Sequence, residues 1–445
     1  MYSEVDLVCH SMGGLVASSY VQQFGTNLTN NIITLATPYE GAPQLINATL
    51  HWRLLDDDMG STFDKGLAFG SNIGLGLAGL QKEVKANFPS VAQLAPTKEY
   101  FKTSCWFGYP YTENKTKYYN AIDYKQYEKI CLDIFDDNFK GAQTFHADIK
   151  NNGINILASY ENSYFAIGIN QPTISAIWFN DGISLGSLKC DNLSYEYIGD
   201  GTVPYQSSTM IEQLKNIENA KKRVLLKTAS HSGMVNHGKN EVKTAEVMVW
   251  VGDILSDTPT KIQSDKITSK DYTVIKVACP VDITIKTENG VISSTSENFS
   301  EAAPFGRLDF IGENDDIKML CLEGWDNYIV NLYGTSDGTM TYTIRWFDSD
   351  NELVDERVCD DVPVTANTII LTDTNNRTDT VLNIDNDGDG IIDQTRAAIP
   401  STFDIQKSIV PTKGTLSVNS IILISIVVLL LLTVAIILLR KVARK

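Results

Sequence analysis

Residues 9–14, Cys-His-Ser-Met-Gly-Gly, join a short apolar run (EVDLVC, 4–9) to an amphipathic one (GGLVASSYVQQF, 13–24). A serine on so sharp a strand-to-helix turn presents its hydroxyl at a sheet edge. The adjoining helix N-terminus favours developing negative charge there. Small neighbours let strand and helix approach; Gly13 meets that need, and Cys9 stands where a first glycine is usual. The plainer alternative for Ser11 is an ordinary helix N-cap. A serine hydroxyl is a weak nucleophile at neutral pH and needs an imidazole base oriented by a carboxylate. The chain has five histidines: His10, His51, His146, His231 and His237. His10 adjoins the serine, where its side chain is expected to point elsewhere, and His51 and His146 fall in an irregular stretch. His231 follows RVLLKT in the loop KTASHSGM, at a strand's C-terminal edge, where α/β sites form; His237 competes with it. For the acid, Asp200 in YIGDGTVPYQSS directly follows SYEYI, and Gly199 and Gly201 permit a tight turn. Asp181, in FNDG, is the alternate, and a plain Asp-Gly turn is the ordinary reading of Asp200.

These residues need a parallel sheet to position them. EVDLVC, the helical run 13–24 and NIITLA (31–36) read as strand, helix, strand, a βαβ unit. The β pattern resumes at INILAS (154–159), SYEYI (194–198) and RVLLKT (223–228), and a helix over about 239–255 closes the unit. Between about 45 and 145 the rhythm breaks. This insertion holds an apolar, glycine-rich stretch (66–80) that reads equally as a lid or a buried helix, and then Cys105 and Cys131, a possible disulfide pair. From about 270 the period changes to two: in TMTYTIRWF, Met340, Tyr342, Ile344 and Trp346 alternate with polar residues. With YIVNLY, IKMLCL, NTIILT and the Asn289-Gly290 turn, 268–398 reads as a β-sandwich-like domain.

A second chemistry appears at its end. DNDGDGIID (385–393) places Asp385, Asp387 and Asp389 at alternate positions, then Gly390 and Asp393, with the Ile391 carbonyl as a further oxygen. Hard oxygens so spaced suit a structural Ca²⁺, although position 12 is Arg396 and not the glutamate of an EF-hand. An acidic solvated turn is the alternative. Residues 348–393 carry 13 acids against two bases, which repel one another unless cations intervene.

The formal net charge is −17, from 54 acids and 37 bases, which argues against nucleic acid as a partner. Seven cysteines without C-x-x-C spacing fit neither a disulfide mini-domain nor a zinc site. Residues 421–439 (IILISIVVLLLLTVAIILL) form an apolar run whose helical length, ~28 Å, matches a bilayer core. The basic tail 440–445 then predicts a single-pass membrane protein with a cytoplasmic tail and its main domains extracellular or lumenal, 399–420 being a linker. A tail-anchored cytosolic protein is the other possibility. Six N-x-S/T sequences (Asn27, Asn47, Asn114, Asn192, Asn298, Asn376) fit a lumenal chain. No apolar leader precedes the first strand, so the true start is expected to be missing.

VDLVCHSMGGLVASSY, TLATPYEGAP, GDGTVP and SHSGM, in that order, resemble the α/β-hydrolase superfamily, in its lipase/esterase branch of lecithin–cholesterol acyltransferase-like enzymes. The resemblance covers about 3–255 with gaps. It implies an α/β-hydrolase domain over 1–255 with a cap or lid at 45–145, followed by the all-β domain and the transmembrane helix. It implies Ser11 as nucleophile, Asp200 as acid, His231 as base and the Met12 N–H as an oxyanion donor, with no cofactor for catalysis. In that fold the nucleophile follows the fifth strand, so the chain reads as N-terminally truncated, lacking the earlier half of the sheet, which leaves an unpaired strand edge, and the loop that supplies a second oxyanion donor. The expected function is cleavage of acyl esters of lipids through an acyl-enzyme. The alternatives are O-acyl transfer to a lipid alcohol, and a non-catalytic membrane-anchored binding protein in which the hydrolase part is scaffold.

Overall fold

The computed structural model describes residues 4–46, 87–102, 107–113, 116–179, 190–217, 219–235, 242–278, 280–295, 305–312, 316–375 and 377–400. Residues 1–405 form one compact unit. β1 (Val5–His10) leads through a turn into α1 (Gly13–Phe24) and then β2 (Thr29–Leu35). Buried Gly14, Ala17, Ser18 and Val21 recur at helical spacing along α1, which fixes the face it turns to the sheet. Gly25, at φ 73°, ends the helix with its N–H on the Val21 carbonyl.

The insertion contributes β3 (Phe107–Glu113), β4 (Thr116–Ala121), α2 (Tyr124–Phe135) and α3 (Asp137–Asp148). A reciprocal capping box between Asp123 and Gln126 starts α2. A two-residue pair, β5 (Lys150–Asn151) and β6 (Ile154–Asn155), then leads to β7 (Ser163–Ile169), β8 (Gln171–Phe179), β9 (Cys190–Gly199), β10 (Val224–Thr228) and α4 (Val242–Leu255). β1, β2, β7 and β10 form, in that order, an all-parallel sheet. Leu15 and Val21 of α1 pack with Ile32, Phe165 and Ile167 on one face. Val247 and Trp250 of α4 pack with Ile33, Leu35 and Leu225 on the other.

Two expectations are corrected here. INILAS is not a strand beyond Asn155: the Asn155 side chain accepts the Leu157 N–H at 2.9 Å and starts a helical turn, Ile156–Ser159. SYEYI lies within β9, which pairs with β8 in a second sheet of order β4-β3-β8-β9, outside the parallel one. The chain changes sheets at Asn170, which sits at φ 62°. Its amide donates to Thr228 Oγ1 and to the Lys266 carbonyl, each at 2.9 Å, and accepts the Thr268 N–H at 3.0 Å.

Twelve strands follow: β11 (Tyr272–Ala278), β12 (Val281–Thr287), β13 (Gly290–Ser293), β14 (Gly306–Ile311), β15 (Ile317–Glu323), β16 (Ile329–Gly334), β17 (Gly338–Phe347), β18 (Leu353–Val364), β19 (Ile369–Asp373), β20 (Val381–Asp385), β21 (Gln394–Ala397) and β22 (Ile399–Pro400). They build two six-stranded antiparallel sheets, β14-β15-β11-β17-β18-β22 and β13-β12-β16-β19-β20-β21. Alternation along the strands sorts the side chains. Ile275, Leu320, Tyr342, Ile344 and Trp346 join Ile283, Val330, Leu332 and Ile370 between these sheets. The opposite face of the first sheet offers Tyr272, Val274, Met319 and Cys321 to Ile174, Tyr195 and Tyr197 of β8 and β9. The two regions therefore share a core.

The expected single-pass membrane architecture is also corrected. No helix among the described residues is long and apolar enough to cross a membrane. α4, with 14 residues, reaches only ~21 Å, against a hydrocarbon core of ~30 Å. The apolar run 421–439 that prompted the expectation, with its linker and basic tail, lies outside the described residues, as does the glycine-rich stretch 66–80. Cys131 is a buried free thiol, and Cys105 lies outside the described residues. Asn192 is buried and accepts a hydrogen bond from Arg345 Nη1 at 3.2 Å, so the folded chain does not offer that sequon for glycosylation.

Glu196 of β9 alternates with Tyr195 and Tyr197, which face this core. Among the described residues its Oε1 is buried without a hydrogen-bond partner, and burial pushes its carboxyl up to about 7. The unfolded carboxyl titrates near ~4.3, so the folded state binds the extra proton between these values and loses stability as pH rises through them. Glu196→Gln is expected to melt above the wild type at pH 8, with the difference closing by pH 4, as thermal unfolding followed by circular dichroism will show.

Candidate active site

β1 delivers the chain into Ser11 at φ 53°, a left-handed conformation that costs a non-glycine residue roughly 1–2 kcal/mol. The Ser11 N–H donates to the Leu35 carbonyl at 2.9 Å, and the Ser11 carbonyl accepts the Gly14 N–H at 3.1 Å; together they hold the turn. A Cβ on Gly14 would overlap the Thr37 side chain, so strand-loop and helix meet there without room for any other residue. A Cβ on Gly13 would come to 3.4 Å from that of Cys9, an ordinary van der Waals contact, so Cys9 fits this turn without crowding it. Among the described residues the Met12 N–H meets no acceptor.

His231 follows β10 and Asp200 follows β9, and their loops converge on this turn. His231 Nε2 lies 2.9 Å from Ser11 Oγ, and His231 Nδ1 lies 2.9 Å from Asp200 Oδ2. A carboxylate can only accept, so Nδ1 carries the proton and Nε2 is left to take one from the serine. Asp200 is fully buried; its other oxygen accepts the N–H groups of Thr202 at 2.9 Å and Val203 at 2.6 Å. The His231 N–H donates to the Asp200 carbonyl at 2.8 Å, tying the two loops by backbone as well. Gly168 of β7 makes space for the acid, since a Cβ there would fall 2.5 Å from that of Asp200.

Three further titratable residues are placed by the structure, of which His10 touches the triad. His10, expected to point away, donates its Nε2–H to the His231 carbonyl at 2.9 Å, and the two rings lie 4.8 Å apart. The sequence shows His10 beside Ser11 but carries no sign that the His231 loop crosses the end of β1. Glu40, in the loop after β2, is buried, sits 2.8 Å from the Lys150 ammonium and accepts from the Thr97 hydroxyl. Burial pushes its carboxyl up while Lys150 opposes the shift. His146 is buried with Nε2 donating to the Gln93 carbonyl at 2.6 Å, and burial lowers its pKa to about 4, so it is neutral. It lines a cavity of about 440 Å³ with Tyr124, Glu128, Gln143 and Lys150, and none of Ser11, Asp200 or His231 borders that cavity. His51, His237 and Asp181 lie outside the described residues.

In the acidic loop, one carboxylate oxygen from each of Asp385, Asp387 and Asp393 lies within 4.8 Å of the others. Asp385 accepts the N–H groups of Gly388 and Gly390, at 2.7 and 2.8 Å; desolvation pushes its carboxyl up, but the backbone N–H groups of the loop together hold it below the usual range. Asp389 is not part of this cluster; it accepts the Ile391 N–H at 2.8 Å, and the Ile391 side chain is exposed.

Residues 1–57, which contain the serine turn, are similar to the PGAP1-like alpha/beta domain, an α/β-hydrolase-like fold. The structure of the Tle4–Tli4 complex aligns with a TM-score of 0.36 at 14% identity, over 58% of this chain and 61% of that one. The Bacillus licheniformis lipase BlEst2 in propeptide form aligns with a TM-score of 0.25 at 10% identity, over 83% and 79%. The curated proteins contain no match.

The tight contact at Gly168 has a direct consequence. Gly168→Ala is expected to cost about 1–3 kcal/mol through forced displacement of the Asp200 turn. Gly252→Ala in α4, where nothing lies within 4 Å, is expected to stabilise by up to ~1 kcal/mol. Denaturant midpoints of the two variants check both signs.

Proposed function

We propose that the chain is a serine hydrolase of the lipase/esterase class that cleaves acyl esters, those of lipids by the resemblance of its motifs. One observation supports this reading above the others: the unbroken line from Ser11 Oγ through His231 to Asp200, with 2.9 Å at each junction. Ser11 attacks the acyl carbonyl carbon while its proton passes to His231 Nε2. The tetrahedral oxyanion meets the Met12 N–H at the start of α1, where the helix dipole favours it. His231, held by Asp200, returns the proton to the leaving alcohol as the C–O bond breaks, leaving the acyl group on Ser11. Water then attacks the acyl-enzyme with His231 as base, releasing the acid and restoring Ser11. A lipid alcohol in place of water would make the same intermediate an acyl donor. Added alcohol acceptor followed by product analysis separates the two outcomes.

Labelling of the full chain by a fluorophosphonate probe tests the hydrolase reading. Wild type is expected to label and Ser11→Ala not to label, with ester turnover falling by about four orders of magnitude or more. Folded wild type that does not label overturns catalysis and leaves the scaffold reading.

For the loop 385–393 we keep structural Ca²⁺ as a separate proposal, supported by the hard-oxygen chemistry of Asp385, Asp387 and Asp393. Millimolar Ca²⁺ is expected to raise the melting temperature, and Asp387→Asn to abolish the rise; equal melting with Ca²⁺ and with chelator contradicts it.

A further inference from the structure

Arg307 belongs to β14, far along the chain in the all-β region, yet its guanidinium reaches the turn that carries Asp200. Nη1 donates to the Gly201 carbonyl, and also to the Pro172 carbonyl at 3.3 Å. Its other edge is fixed by Asp309, two residues on along the same strand face: Nε to Oδ2 at 2.7 Å and Nη2 to Oδ1 at 2.5 Å. Asp309 is in turn held by the Tyr195 hydroxyl of β9 at 2.8 Å. Both ends of this fork are largely buried, and the pair is bidentate, the geometry in which arginine gives direction as well as charge.

The Gly201 carbonyl and the Thr202 N–H belong to one peptide group. In a planar trans peptide they point in opposite directions, so a donor that fixes the oxygen also aims the N–H. That N–H ends on Asp200 Oδ1 at 2.9 Å. A cation on the oxygen also polarises the peptide and strengthens the bond made by its N–H. Gly201 is at φ 92°, a conformation open to glycine at little cost, and Arg307 adds to the turn's own hydrogen bonds a hold on this peptide's oxygen from outside it. Its N–H donates to Thr173 Oγ1 at 2.8 Å, which pins the other side of the residue.

We propose that Arg307 is a positioning residue for the acid of the triad: the all-β region holds, through the peptide between Gly201 and Thr202, the carboxylate that orients His231. The all-β region is then part of the catalytic apparatus and not an appended module. This inference rests on the hydrolase reading, so its test carries one readout that needs turnover and one that does not.

The experiment uses the full chain with Arg307→Ala and Arg307→Lys, each checked for native circular dichroism. With a soluble p-nitrophenyl ester, Arg307→Ala is expected to lower kcat about ten-fold with KM unchanged, the size of one lost hydrogen bond. Millimolar guanidinium is expected to restore part of that loss in Arg307→Ala and to leave the wild type unaffected. Arg307→Lys, which keeps the charge without the fork, is expected to stay impaired. In parallel, hydrogen exchange of the Thr202 and Val203 amides is expected to speed up about ten-fold in Arg307→Ala with the strands of both β-sheets unchanged. Wild-type kcat in a folded Arg307→Ala, or an equal fall without guanidinium rescue, overturns the proposal. If the wild type turns over no ester, the hydrolase reading fails, and unchanged exchange at Thr202 and Val203 separately overturns the positioning role.

Discussion

The contact between Asp200 and His231 is the constraint on which the arrangement depends. A carboxylate with no exposed surface is costly unless it is hydrogen-bonded, and here two backbone N–H groups and an imidazole N–H donate to it. That requirement dictates the neighbouring sequence. Gly168 must be small to leave space for the acid, Gly201 must accept a positive φ, and the Asp200 carbonyl must receive the His231 N–H. The strained Ser11 turn is the third corner, held by the end of β2 through the Leu35 carbonyl.

The acid arrives from a different sheet than the serine and the histidine. β1 and β10 lead to Ser11 and His231 from the parallel sheet, whereas Asp200 directly follows β9 of the mixed sheet that packs on the all-β region. Asn170, where the chain passes from one sheet to the other, bonds to both Thr228 of β10 and the connection at 266–268. The site therefore stands at a junction, and its geometry reports on the packing of three sheets and not of one. This distinguishes it from a site built wholly on the strand ends of a single open sheet.

The turn around Ser11 was legible because its requirements are local: a strand, small residues and an amphipathic helix within twenty positions. The loops of Asp200 and His231 were legible as strand ends followed by turn residues. The setting of Asp200 was not. The alternation of Tyr195 and Tyr197 announces a strand but not which sheet it joins, and only the packing against Tyr272 and Cys321 decides that. INILAS failed for a related reason, since a short apolar run fits a strand or a helical turn, and the Asn155 side chain tipped it to the turn. The contact of His10 with the His231 carbonyl needs two loops 221 residues apart to meet, and no spacing encodes it. The apolar run at 421–439, read from hydropathy as a membrane span, lies outside the described residues, among which no helix is long and apolar enough to cross a membrane.

Whether Ser11, His231 and Asp200 act as one unit is the central point, and a mutant cycle on ester hydrolysis answers it. The rates to compare are those of wild type, Asp200→Asn, His231→Ala and the double variant, measured with the same soluble ester. If the acid works only by orienting the base, the double variant hydrolyses the ester no more slowly than His231→Ala alone. Losses that multiply would mean that Asp200 and His231 contribute independently, and the triad account would be wrong.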